Sequence, residues 1–111
     1  MPDQLVGTHI QALRMGKKLT REALAEKADI SAKFLYEIEK GKKSFSVDVL
    51  RRIANGLDVC CDEIVYGKRQ GDCEYSELIR RLERFGEVDI QEICIMMDAL
   101  REVKKHQQTD E

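Results

Sequence analysis

Between Thr20 and Gly41 the chain carries two short segments with helical spacing of apolar residues, and only Asp29-Ile30 separates them. Ala23, Leu24 and Ala28 share one face of the first segment, and Phe34, Leu35 and Ile38 mark the second. Isolated helices shorter than roughly 12–15 residues are marginal in water, because the first turn is costly to nucleate. Two such helices joined by a tight turn must therefore share a core with other elements. Local chemistry agrees with these limits. Thr20 and Ser31 offer hydroxyls to cap the two starts, and Gly41 can stop the second helix in the left-handed region.

The rest of the chain supplies that core. Leu5, Val6, Ile10 and Leu13 predict a first helix ending near Met15-Gly16. Ser46 opens a fourth, with Leu50, Ile53, Ala54 and Leu57 on one face. A short fifth helix is predicted over Cys61–Tyr66, with Asp62 and Glu63 well placed in its first turn and Gly67 closing it. The stretch GKRQGDC reads as a linker. Two more helices follow, one with Leu78, Ile79, Leu82 and Phe85, and one with Ile90, Ile93, Met97 and Leu100, capped by Asp89. The run Ile93–Met97 is apolar almost all round, so it should be covered on more than one side.

Charge divides the chain. Residues 1–70 hold 13 Lys/Arg against 10 Asp/Glu, whereas residues 71–111 hold 6 against 11. Either both parts are ordinary solvated surface, or a front suited to polyanions is backed by an acidic end. With no long apolar run and no secretory leader pattern, a soluble cytosolic chain without membrane contact is expected. Cys60, Cys61, Cys73 and Cys94 lack the spacing of a zinc site, and reduced structural thiols are expected, with no metal and no cofactor. His9 and His106 are far apart, and no catalytic motif accompanies them, so an enzyme is not expected.

Val6-Gly7, Ile10, Leu13-Arg14, Leu19-Thr20, Leu24-Ala25, Ile30-Ser31, Leu35, Ile38-Glu39, Gly41, Leu50, Ile53-Ala54, Leu57 and Asp62-Glu63-Ile64 stand in one register. In that register residues 5–67 closely resemble the xenobiotic-response-element (XRE) family, which includes phage repressors and Cro proteins. The resemblance implies an all-α fold: a five-helix repressor-like helix-turn-helix domain over residues 1–67. A linker at 68–73, two C-terminal helices within a dimerisation segment at 74–106 and a frayed tail at 107–111 complete the expected chain. It also implies sequence-specific binding of double-stranded DNA, as a homodimeric repressor on an inverted repeat.

By resemblance, Arg21–Ala28 is the positioning helix and Ser31–Lys40 the recognition helix. Ala32, Lys33 and Glu37 fall on the family's base-reading positions, with Ser31 and Tyr36 beside them. Lys33 suits guanine O6/N7, Ala32 a thymine methyl, and Glu37 the cytosine amino group, unless its charge merely repels phosphate. Phe34 and Tyr36 either pack inward or face out. Arg21, Lys40, Lys42 and Lys43 are expected at phosphates. Glu39 is expected to pair with Arg14 in a structural ion pair. The expected dimer seam comprises Ile90, Ile93, Met96, Met97 and Leu100.

Three positions depart from the family pattern: Asp29 and Asp58 where Gly is usual, and Phe45 where Pro is common. The rival reading keeps the fold and changes the partner, making the C-terminal helices an antitoxin-like surface for another protein.

Overall fold

The computed structural model describes residues 4–67, Arg81, Leu82, Arg84 and residues 88–109. These residues form α1 (Gln4–Gly16), α2 (Arg21–Ala28), α3 (Ala32–Glu39), α4 (Val47–Leu57), α5 (Cys61–Tyr66) and α6 (Ile90–Thr109). The all-α class and the five helices up to residue 67 are those the sequence predicts. Helix α6 is the second expected C-terminal helix. Leu78, Ile79 and Phe85 of the first, and the 68–73 linker, lie outside the described residues. Helix α6 also runs on to Thr109, past the start of the expected fray, through Gln107 and Gln108, both good helix formers. No described helix is long and apolar enough to cross a membrane.

Helices α2, α3 and α4 are closed at both ends by local chemistry. Thr20 Oγ1 accepts from the Ala23 N–H at 3.0 Å, Ser31 Oγ from Phe34 at 3.0 Å, and Ser46 Oγ from Val49 at 3.2 Å. Asp89 Oδ1 accepts from the Glu92 N–H at 3.1 Å and opens α6 in the same way. At the far ends Asp29 (φ 55°) and Asp58 (φ 56°) take the left-handed conformation that glycine adopts most readily. The amides that follow them, Ile30 and Val59, reach back to the Ala25 and Ala54 carbonyls at 3.0 Å. Lys18 does the same for α1 at φ 59°, an arrangement that no glycine announces.

Val6, Ile10, Leu24, Leu35, Leu50, Ile53, Leu57 and Ile64 form the centre of one core. Helix α1 crosses the C-terminal end of α3 at Gly7, where a Cβ would collide with the backbone carbonyls of Ile38 and Glu39. Close backbone approach, rather than a turn, is what requires glycine there.

Helix α6 belongs to the same core. Ile90, Ile93 and Met97 are fully buried against the α1–α5 cluster, and Met96 and Cys94 pack partly on it. The expectation that Ile90, Ile93 and Met97 face a second chain is therefore corrected: their own chain buries them. Burying one such side chain contributes roughly 1.5–3 kcal/mol, so α6 stabilises the domain it covers. Its start is tied down by a short antiparallel bridge. The Val47 N–H donates to Val88 O at 2.9 Å and the Ile90 N–H to Phe45 O at 2.7 Å, with Ser46 opposite Asp89. Phe45 itself is buried.

The thiols divide. Cys61, buried inside α5, and Cys94 are thiols outside any disulfide, but Cys60, in extended backbone just outside α5, is disulfide-bonded. Four reduced cysteines were the expectation, and Cys60 departs from it.

Candidate nucleic-acid interface

The geometry begins with a buried carboxylate. Glu39 sits in the last turn of α3 with its side chain fully buried. Arg14, from the last turn of α1, meets it at two points, Nε to Oε2 at 2.7 Å and Nη2 to Oε1 at 3.2 Å. Arg14 Nη1 also donates to Leu19 O at 2.9 Å, which holds the turn between α1 and α2. A carboxylate out of water needs this saturation, because an unpaired buried charge is costly.

Arg21 adds a second guanidinium. Its Nε and Nη2 both donate to Glu39 Oε1 at 3.2 Å, and its guanidinium lies 5.1 Å from the centre of the Tyr36 ring. The sequence reading placed Arg21 at phosphates and did not foresee this anchorage. Two cations share one anion here, so the cluster keeps a net positive charge beside the outer face of α3.

Tyr36 is the centre of that face. It is 38% exposed, and besides Arg21 it has Lys40 at 5.8 Å and Lys42 at 5.5 Å from its ring centre. Cations are drawn to the negative face of an aromatic ring, by about 0.5–1 kcal/mol at exposed sites. Phe34, by contrast, packs partly against the core. Lys33 is exposed, and Ala32 is half-buried beside it. Ser31 is exposed; its oxygen serves as the α3 cap, leaving its O–H free to donate. Glu37 pairs with Lys43 at 3.8 Å, which offsets an acid that would otherwise repel a polyanion.

One positioning residue escaped the sequence reading. Arg52 of α4 donates from Nη1 to Ala28 O at 2.9 Å and to Asp29 O at 2.7 Å, and from Nε to Asp48 Oδ2 at 3.1 Å. It satisfies end carbonyls of α2 and fixes the turn leading into α3. Asp48 and Arg52 stand four apart on a helix, the only trace of this arrangement in the sequence.

Two short helices crossing at a fixed turn, with the outer face of the second bearing Lys33, Tyr36 and a rim of lysines, define a helix-turn-helix unit. Residues 10–64 match the family model described as helix-turn-helix, and this stretch of the chain belongs to that family, of XRE type.

Particular relatives agree. The chain is 38% identical over 60 residues to an immunity repressor protein of Bacillus phage phi105, covering 54% of this chain and 42% of that one. The restriction-modification controller protein C.AhdI from Aeromonas hydrophila shares 25% identity at a TM-score of 0.54, covering 56% of this chain and 96% of its own. The clp gene regulator ClgR from C. glutamicum shares 25% identity at a TM-score of 0.55, covering 57% and 82%.

Proposed function

We propose that this chain is a sequence-specific repressor that binds an inverted-repeat operator as a homodimer. The observation that supports this most is the outer face of α3, where exposed Lys33 and Tyr36 stand beside four cations on a rigid ionic base. In this reading α3 enters the major groove. Lys33 donates to a guanine edge, Ala32 meets a thymine methyl, and Glu37 accepts from a cytosine amino group on leaving Lys43. Lys40, Lys42 and Lys43 lie along phosphates, Ser31 donates its O–H to one, and Arg21 reaches one while still tethered to Glu39. Two copies place their α3 helices about 34 Å apart, one turn of B-DNA.

Selection from a random duplex pool by the full chain tests this. The expected outcome is an inverted repeat whose half-sites lie about 10 base pairs apart centre to centre, bound with a log–log salt slope of about −5 to −7 if six to eight phosphates are neutralised. A single unpaired half-site would remove the dimer from the reading. No salt-dependent binding to any duplex would remove DNA.

A further inference from the structure

Tyr36 stands exposed on the outer face of α3, and three cations of its own chain surround its ring. Arg21 comes from the start of α2, Lys40 from one turn further along the same side of α3, and Lys42 from the loop beyond. None is farther than 5.8 Å from the ring centre. Like charges gathered so closely repel one another and need something to hold them. Carboxylates do not supply it. Arg21 shares Glu39 with Arg14, and among the described residues neither Lys40 nor Lys42 forms an ion pair. The Tyr36 hydroxyl likewise has no hydrogen bond among the described residues, so the ring is what this side chain contributes.

An aromatic face attracts ammonium and guanidinium groups without neutralising them. A lysine resting on it keeps its charge, and keeps N–H donors for an oxygen on the far side. A carboxylate in the same place would cancel the charge that meets a phosphate. The ring thus restricts long, freely rotating side chains and leaves them fully charged. Restriction in advance matters, because immobilising such side chains only on binding lowers affinity. We propose that Tyr36 is a positioning residue, whose ring holds Arg21, Lys40 and Lys42 as one group for the phosphate backbone and raises affinity without reading a base. The role rests on the DNA-binding reading above, and it sets Tyr36 apart from Ala32, Lys33 and Glu37, which face base edges in that reading.

Tyr36→Leu and Tyr36→Phe, each measured as the full chain on the selected operator and on a random duplex, test this. Leucine keeps a helix-forming apolar side chain and removes the ring, whereas phenylalanine keeps the ring and removes the hydroxyl. Tyr36→Leu is expected to bind both duplexes about three- to tenfold more weakly, with an unchanged salt slope because every cation remains. Tyr36→Phe is expected to bind like the parent. A loss confined to the operator would make Tyr36 a base contact and overturn the proposal. So would a phenylalanine variant as weak as the leucine one, which would transfer the effect to the hydroxyl. Binding by Tyr36→Leu as tight as the parent's, or tighter, would mean that ring and phosphate compete for the cations, and overturns it too. Nuclear magnetic resonance of the free protein gives a readout that needs no DNA. The Lys40 and Lys42 methylene protons beside the ammonium should lie upfield, under the ring current, in the parent and in Tyr36→Phe, and return to ordinary positions in Tyr36→Leu. Ordinary positions in the parent would overturn the gathering of cations itself. A parent that binds no duplex would overturn the DNA reading and this role with it, while the same shifts would still report the cations around the ring.

Discussion

Helices α2 and α3 run 8 residues each and α6 runs 20, yet the short pair carries the greater number of local fixtures. Both α2 and α3 have a hydroxyl cap, the turn between them is held by Arg52, and α3 ends on a carboxylate gripped by two arginines. Helix α6 has an aspartate cap, a two-bond bridge at its start and one buried apolar face, with Ile95 and Val103 exposed. A surface that reads base edges tolerates little displacement, so its short helices need polar fixtures whose directions are fixed. A helix held by one buried apolar face needs mainly the regular spacing of the residues on that face.

The contrast breaks most readily at Glu39. Glu39→Ala leaves two guanidiniums without their anion and should lower unfolding free energy by about 3–5 kcal/mol, measured by urea titration. Arg14→Met combined with Glu39→Leu should restore much of that stability, because the remaining Arg21 can turn to solvent. An unaltered denaturation midpoint in Glu39→Ala would mean that the ionic base contributes nothing to rigidity.

Next comes the crossing of α1 and α3. Gly7→Ala should cost about 1–3 kcal/mol, because the new methyl presses on backbone carbonyls that cannot rotate away. The same midpoint measurement decides it, and a neutral result would show that α1 can shift without loss.

Lys33→Ala sharpens the comparison from the other side. It should cost about 1–3 kcal/mol on the selected operator and much less on random duplex, with no change in melting temperature. Equal losses on both duplexes would move Lys33 from base reading to phosphate contact.

The smallest effect belongs to a helix end away from both surfaces. Asp58→Gly should relieve the left-handed backbone at the end of α4, with a gain of up to about 1 kcal/mol after the greater freedom of glycine in the unfolded chain is subtracted. A loss of stability would show that the Asp58 side chain does more than tolerate its φ angle.

Much of this architecture was legible because it is written in side-chain types. Thr20, Ser31, Ser46 and Asp89 each cap the helix they were assigned to, since an N-cap needs a particular chemical group at a particular place. The Arg14–Glu39 contact was reached through resemblance, since no local spacing joins residues 25 apart. Other features have no such signature. The bridge between residues 45–47 and 88–90 uses backbone groups, which every sequence possesses. Amphipathic spacing in α6 showed that Ile90, Ile93 and Met97 must be buried, but periodicity does not say by which chain. The turn of Arg21 onto Glu39 joins residues 18 apart, with the Tyr36 ring 5.1 Å from the guanidinium, and no local spacing announces it.

The paired caps Ser46 and Asp89 have a mechanical consequence. Lys42 and Lys43 lie within four residues of Ser46, and α6 begins one residue after Asp89. The path from the rim of the reading head to α6 is thus a short strut of backbone and two hydrogen bonds, with no slack loop in it. A push on the start of α6 would therefore reach the rim as it does through the arm of a set calliper, and not as along a tether.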